Sequence, residues 1–446
     1  MKILIVGAGV VGFHLAHELS TGQHDITLID QNADLIAHAA SKLDAITIHG
    51  DGTRPSVLKK AGIERTEMVV AVTSSDEVNL VIIHLASKFG VPKKVARIRK
   101  EEWFEAGLFS TSEFGIDRII NPDRLIVNYV QKILSTPGLI DVAEFSDPGV
   151  SLLGFRVLPD MPILGKKLTE LRAAFSLDAF LIATIYRDGK MFIPTGEDVI
   201  RKGDTCYVLT NAEMTPFVLP VFNKNLDPVH SVVISGGNRT GLQIAQHIEK
   251  DFPDLVLVEP DKGVAETVAE ALVETRVIHG DPMERGVLQE LDIGSVDCFI
   301  SVARDAKSNL LTGLLAKQQG AKRVIIITDE TEYLPVMDAI GLDVVINPRL
   351  IIAGEILRYI RRGRIHSVVK LKTGGVEMIE LDIPASSKAV GKPLSKLKFP
   401  EGSIIGAIVE DGNLFFPTGE TELKPGQKIV LISRSEVVEK AENFFR

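Results

Sequence analysis

The sequence predicts an α/β chain in tandem duplication, with two doubly wound parallel sheets each followed by a small α+β module. Two observations carry that prediction. First, five segments recur in the same order, 226 to 230 positions apart. ILIVGAGVVG at 3–12 returns as VVISGGNRTG at 232–241, and ITLID at 26–30 as LVLVEPD at 255–261. HGDGTRPSVLKKAGI at 49–63 returns as HGDPMERGVLQELDI at 279–293, and MVVAVTSSDEVNL at 68–80 as CFISVARDAKSNL at 298–310. The last pair is DRIINPDRLI at 117–126 and DVVINPRLII at 343–352. A constant offset over so long a stretch marks one duplicated unit. Second, short apolar runs inside each copy alternate with stretches of helical spacing, the pattern of βαβ units around a parallel sheet.

Taken in order, the runs ILIV, ITLI, AITI, MVVAV and VARI are the strands of the first copy, with helix-like segments such as VGFHLAHEL between them. The modules that follow read differently. LLGFRVLPDMPILGKKLTELR at 152–172 resembles VEMIELDIPASSKAVGKPLSKL at 376–397, giving a strand, a glycine-rich turn and a short helix. Two further strands then meet at Asp188-Gly189 or at Asp411-Gly412, dipeptides suited to tight hairpins. The expected boundaries are 1–134 and 229–360 for the αβ units, and 140–222 and 366–446 for the α+β modules. Modules that small bury little of their own surface and often need a partner surface, so dimerisation through them is expected.

Composition narrows the function. Fifty Lys and Arg stand against 59 Asp and Glu, a net charge of −9. That balance argues against general nucleic-acid binding, which needs a basic face to displace counterions, and against a polybasic grip on lipid. Aromatic residues make up only 6%, too few for base-stacking platforms. No apolar run approaches the roughly 20 residues of a membrane span, and MKILIVGAGVVG lacks the parts of a signal peptide. The expectation is a soluble cytosolic chain. Cys206 and Cys298 sit far apart in apolar stretches and read as buried core thiols.

The strongest site signal is Gly7-Ala8-Gly9-Val10-Val11-Gly12, a GxGxxG that follows a strand and opens a helix. Gly7 permits the tight turn, Gly9 lets backbone approach a pyrophosphate, and Gly12 allows close helix–strand packing in a Rossmann-like unit. Asp30 ends the next strand 21 residues after Gly9, where a carboxylate accepts both hydroxyls of a ribose. It would repel a 2′-phosphate, which favours NAD(H) over NADP(H). Asp51 follows the third strand and Thr73-Ser74-Ser75-Asp76 the fourth, both on the ligand side of such a sheet. A turn aspartate and a helix cap are the bland alternatives for them. Arg97 ends VARIR and either pairs with a phosphate or is an ordinary strand-end arginine.

The second loop, Ser235-Gly236-Gly237-Asn238-Arg239-Thr240-Gly241, reads as degraded. Gly237 is taken to stand in the place of Gly9, with Ser235 and Thr240 where Gly7 and Gly12 stood. Glu259 or Asp261 serves the ribose, Asp281 repeats Asp51, and no arginine matches Arg97. Either a weaker site or one for a different adenine nucleotide is expected there. His49 and His279 read as turn residues, and no HExxH, CxxC, GxSxG or Walker A lysine appears, so neither a metal site nor a catalytic residue is expected. The basic run from Arg358 to Arg364 is either a helix end complemented by cations or a docking patch for an acidic partner.

MKILIVGAGVVG, the Asp30 strand end, HGDGT, AVTSSDEVN, ARIR and the four-unit order together resemble the TrkA-type regulatory subunits of bacterial and archaeal potassium uptake systems. The resemblance spans essentially the whole chain. It implies two RCK (KTN) nucleotide-binding domains, each followed by an RCK C-terminal domain. It also implies a non-enzymatic protein that assembles as a cytosolic ring, a dimer of dimers, under an integral-membrane potassium-translocating subunit. Such a protein gates that subunit in response to NAD(H), ATP or ADP, and lies on the inner face of the membrane through its partner. Carried over by motif, the first nucleotide site comprises Gly7, Ala8, Gly9, Val10, Val11, Asp30, Thr73, Ser74 and Arg97. The second comprises Gly236, Gly237, Asn238, Arg239, Glu259, Ala303 and Arg304. An NAD-dependent oxidoreductase is the rival reading, and a soluble scaffold without a membrane partner is a third.

Overall fold

The computed structural model describes residues 1–20, 24–100, 103, 110–145, 149–174, 180–222, 228–330, 340, 342–360, 365–370, 375–410 and 412–445. The first αβ copy runs β1 (Lys2–Val6), α1 (Val10–Ser20), β2 (Asp25–Asp30), α2 (Ala33–Lys42), β3 (Ile46–His49), α3 (Pro55–Lys60), β4 (Met68–Ala71) and α4 (Asp76–Lys88). It continues with β5 (Lys93–Arg97), α5 (Thr111–Phe114), β6 (Arg118–Ile120) and α6 (Pro122–Ser135). Its six strands form one sheet in the order β3-β2-β1-β4-β5-β6, and every pairing is parallel. The order reverses between β1 and β4, so two loops diverge there and leave the crevice in which α/β folds place ligands. The central strands are apolar on both faces because helices cover both sides, and β4 has no exposed residue.

Five antiparallel strands follow: β7 (Leu139–Glu144), β8 (Val150–Arg156), β9 (Leu181–Arg187), β10 (Lys190–Phe192) and β11 (Thr205–Asn211). They order as β10-β9-β11-β8-β7, with α7 (Leu168–Ala174) and α8 (Thr215–Phe222) alongside in sequence. The expected hairpin at Asp188-Gly189 joins β9 to β10, and both residues take positive φ, 50° and 79°.

The second copy repeats the plan. Its elements are β12 (Ser231–Ser235), α9 (Arg239–Ile248), β13 (Asp254–Glu259), α10 (Lys262–Ala271), β14 (Arg276–His279), α11 (Arg285–Glu290), β15 (Cys298–Ser301), α12 (Ala306–Gln318), β16 (Arg323–Ile327), β17 (Val344–Ile346) and α13 (Pro348–Ile360). The strand order β14-β13-β12-β15-β16-β17 matches the first sheet position for position. The closing module contains β18 (Ile365–Lys370), β19 (Val376–Asp382), β20 (Ser403–Glu410), β21 (Asn413–Phe415), β22 (Lys428–Arg434) and α14 (Val438–Asn443), ordered β18-β19-β22-β20-β21.

The small modules find their partner surface in each other. Leu152, Ala183 and Leu209 of the first share a core with Val376, Met378, Ala407, Val430 and Ile432 of the second. Gly406 marks the closeness of that contact, since a Cβ there would lie 2.9 Å from a Leu209 methyl.

Spatial grouping departs from chain order. One compact unit is Met1–Val127 with Asn347–Leu357, and the other is Asn128–Ile346 with Arg358–Arg446. Most of α13, sequentially the last helix of the second αβ copy, therefore belongs with the first copy, where Arg118 donates to Glu355 at 2.8 Å. The end of α6 belongs with the second copy, where the half-buried Arg323 donates to the Ile133 carbonyl at 2.9 Å.

Cys206 and Cys298 are buried and unbridged, as expected. Burial pushes the Cys298 thiol up to about 12 and the Cys206 thiol higher still. Among the described residues no helix is long and apolar enough to cross a membrane.

Candidate nucleotide sites

In the first copy the chain leaves β1 at Gly7 with φ +111°, a conformation that L side chains rarely adopt. A Cβ there would also sit 2.9 Å from the Thr73 amide nitrogen. Gly12 is required for a different reason. Its Cβ would lie 1.7 Å from the Gly7 carbonyl oxygen, so the first turn of α1 can pass the loop only as glycine. At Gly9 a Cβ would meet nothing within 4 Å. That open space lies directly before α1, whose leading amides have no side chain of Gly9 to cap them. The combination of free amides and bare backbone suits an anion.

Asp30 closes the loop from the other side. One carboxylate oxygen accepts the Ala8 N–H at 2.6 Å and the other accepts the Asn32 N–H at 2.8 Å. Each oxygen keeps a second lone pair, enough for the two hydroxyls of a ribose. Asn32 in turn caps α2, accepting from the amides of Asp34 and Leu35.

Across the crevice, Thr73 and Arg97 are tied together by a residue the sequence reading did not single out. Asn79, fully buried on α4, accepts the Thr73 amide at 3.0 Å and its hydroxyl at 2.7 Å through Oδ1. Its Nδ2 donates to the Arg97 carbonyl at 2.8 Å. The Arg97 guanidinium donates back to the Thr73 carbonyl at 3.1 Å, while its Nε is buried without a partner. Burial, with Arg99 close by, pushes the Arg97 guanidinium down to about 10, so it stays cationic at neutral pH. The signal for Asn79 was present in the sequence: an amide inside the apolar face of a helix, DEVNL, echoed as AKSNL.

Ser74 is exposed, and Ser75 supplies the cap expected of this segment, accepting the Val78 amide at 3.2 Å. Asp51 is engaged within its own turn. It accepts both the amide and the hydroxyl of Thr53, and those bonds hold its carboxyl below the usual range. His49 bonds the Gln31 carbonyl at 3.0 Å and His279 the Pro260 carbonyl at 3.1 Å, the turn roles expected of both.

The second copy corrects the expected register of its glycine loop. Gly236 has φ +117° and a Cβ there would lie 2.9 Å from the Ala303 amide nitrogen, which makes it the counterpart of Gly7. Gly241 is the counterpart of Gly12, its Cβ falling 2.0 Å from the Gly236 carbonyl oxygen. Asn238 thus replaces Gly9, and Gly237 replaces Ala8. Strand ends fix this register: β1 stops at Val6 and β12 at Ser235. The loop is one glycine short, not two.

Glu259 takes the place of Asp30, accepting the Gly237 N–H at 2.6 Å and the Asp261 N–H at 2.9 Å. Asp261 itself caps α10. Asn309 repeats Asn79, with Nδ2 donating to the carbonyls of Ala303 and Ile327 at 2.8 and 2.9 Å. Ile327 therefore stands where Arg97 stands, and the missing arginine is a real difference. Asp281 accepts the Met283 amide at 2.8 Å. Ser235, Gly236, Asn238, Glu259, Asp281, Ala303 and Arg304 line a cleft of about 160 Å³ at the strand ends. Arg239 opens α9 on the exposed side. Of the basic run, Arg361, Arg362, Gly363 and Arg364 lie outside the described residues.

The comparison with known proteins follows this duplication. The TrkA-N domain matches residues 3–122 and 232–348, and the TrkA-C domain matches 152–215 and 378–446. The chain belongs to the TrkA family. It is 34% identical over its whole length to the Trk system potassium uptake protein TrkA of Azorhizobium caulinodans, covering 99% of that protein. It is 30% identical to the TrkA of Vibrio alginolyticus, with 97% of this chain and 95% of that one aligned. Among solved structures, the GsuK RCK domain superposes with a TM-score of 0.63 at 17% identity, covering all of this chain and 94% of that one. The GsuK channel bound to NAD superposes at 0.65 with 16% identity, covering all of this chain and 78% of that one. Both show the fold: a tandem of RCK-type αβ and α+β domains.

Proposed function

We propose that this protein is the cytosolic, nucleotide-sensing regulatory subunit of a potassium uptake system. It has no catalytic role in this reading. It assembles as a homo-oligomeric ring on an integral-membrane potassium-translocating subunit and gates that subunit in response to NAD(H), ATP or ADP. Family membership with TrkA relatives supports the potassium system, and a NAD-bound GsuK neighbour of the same fold supports the ligand class. The four modules are assigned to 1–134, 140–222, 229–360 and 366–446.

The single observation that carries the sensing role is the link through Asn79. A nucleotide at the Gly7 loop and Asp30 approaches the β4 and β5 ends, where Thr73 and Arg97 are fastened to one another through that side chain. The unpartnered Nε of Arg97 is suited to a phosphate. Charge added or removed there acts on both loops together. A ligand shifts an assembly between states only by binding one of them better, and a repeated interface multiplies the effect.

Co-reconstitution with the membrane subunit in vesicles tests this. Potassium flux is expected to change when NADH replaces ADP, with NADH recovered unoxidised. Steady NADH oxidation with a small-molecule substrate would instead establish the oxidoreductase reading. Flux indifferent to every nucleotide would leave the chain a scaffold.

A further inference from the structure

The second αβ unit carries a built-in occupant at the place where the first is open. Asn238 Oδ1 accepts the amides of Thr240 and Gly241 at 3.0 and 3.1 Å, the leading donors of α9. Its Nδ2 donates across the crevice to the Val302 carbonyl. One neutral side chain thus satisfies the amides that would face an anion and also bridges the two diverging loops. In the first unit the same position is Gly9, with free space around it.

Two further exchanges accompany it, while one feature is kept. Ile327 replaces Arg97, removing the cation from the far wall. The ribose end is retained, because Glu259 repeats both amide bonds of Asp30. The floor has turned polar. In the first unit Val6 packs at Gly52, with Ile82 beside it. In the second, Ser235, Pro282 and Thr312 line the cleft instead, and the Ser235 hydroxyl, 1% exposed, has no hydrogen-bond partner. A buried hydroxyl left unpartnered beside a cleft is a group waiting for a polar ligand.

We propose that Asn238 sets the ligand class of the second unit: it holds the phosphate seat itself, so this unit takes a ribonucleoside bearing at most one phosphate. Glu259 holds the ribose, Ser235 and Thr312 offer hydroxyls to the ligand, and Arg304 on the rim pairs with a single phosphate. The first unit, with Gly9 and Arg97, takes the diphosphate. This inference rests on reading the second unit as a nucleotide site.

The test is calorimetric titration of AMP, ADP and NADH into the full chain carrying Asp30→Ala, which weakens the first unit at least tenfold and leaves the second as wild type. AMP is expected to bind at least tenfold more tightly than ADP or NADH. Adding Asn238→Gly is expected to raise ADP affinity at least tenfold with AMP little changed, and adding Glu259→Gln to abolish AMP binding. The reciprocal Gly9→Asn, in a chain with Asp30 intact, is expected to weaken ADP at the first unit by at least tenfold. ADP binding as tight as AMP with Asn238 in place, or a ratio unmoved by Asn238→Gly, overturns the role of Asn238 while leaving a site. AMP binding indifferent to Glu259→Gln, or no binding of any of the three ligands, overturns the nucleotide reading of the second unit and the inference with it.

Discussion

The Ala8 backbone N–H donates to the Asp30 carboxylate at 2.6 Å, and Gly237 does the same to Glu259 at the same distance. The side chains differ by one methylene, yet each pulls its glycine loop onto the end of the neighbouring strand. The acid is therefore part of the loop's structure as well as the proposed ribose ligand. Removing it affects both.

Asp30→Ala should weaken NADH binding to the first unit at least tenfold, since a charge-assisted hydrogen bond contributes roughly 1.5–3 kcal/mol. Calorimetry reads the affinity and circular dichroism confirms the fold. Asp30→Glu should recover much of the binding, because Glu259 makes the same pair of amide bonds. An Asp30→Ala chain that binds as well as the wild type would remove the ribose role.

Gly9 and Gly12 should separate binding from stability. At Gly12 a Cβ would strike the Gly7 carbonyl at 1.7 Å, and backbone on both sides cannot give way. Gly12→Ala should lower stability by at least about 2 kcal/mol. Gly9→Asn fits into open space and adds a helix cap, worth about a few tenths of a kcal/mol over glycine, so it should hold or slightly raise the melting temperature while weakening the nucleotide. Thermal melts should therefore show a clear loss for Gly12→Ala and none for Gly9→Asn. A destabilised Gly9→Asn chain would count against the cap.

Asn79→Leu keeps the branched shape but strands the Thr73 amide, which donates to Asn79 Oδ1, and leaves the Thr73 hydroxyl only its longer bond to the Ser75 carbonyl. A loss of about 3 kcal/mol is expected in denaturant unfolding, from buried donors left unmade. The same change should loosen Arg97 from Thr73, leaving only the guanidinium–carbonyl bond between them, so nucleotide affinity should fall even though Asn79 is fully buried beneath the loops. Wild-type affinity in this variant would mean the two strand ends are held by other contacts.

Acid stability should depend on Asp297. Burial alone would raise its pKa, but bonds from Lys322 and from the amides of His230 and Ser231 outweigh it and hold the carboxyl at about 2. A folded-state value below the unfolded 3.8 means that its stabilisation is fully present above that pH. It is lost as pH falls from 3.8 through about 2. Asp297→Asn should remove about 1 kcal/mol at neutral pH, allowing for solvent screening, and flatten the stability profile in that window. An unchanged profile would show that the acid limb belongs to other carboxylates.

Much of this protein was determined by its sequence alone. Repetition at a near-constant offset fixes two equal folds, because the same apolar spacing must bury the same faces. Strand, glycine turn, helix and terminal acid lie within some 30 residues, so the loop geometry of the first candidate site was legible from Gly7, Gly12 and Asp30: local backbone geometry decides which residue types fit. Tertiary structure decided what depends on distance across the fold. The register of the second loop could slide by one among Gly236, Gly237 and Asn238 until the end of β12 pinned it, since only a clash with Gly236's carbonyl identifies Gly241. Asn79 reads as one polar residue on an apolar helix until the ends of β4 and β5 are brought over it. The exchange that places most of α13 with the first copy leaves no trace in the order of the chain. Its physical reason is that helices bury an apolar face against whichever sheet lies nearest in space, and nearness in space is set by the whole fold.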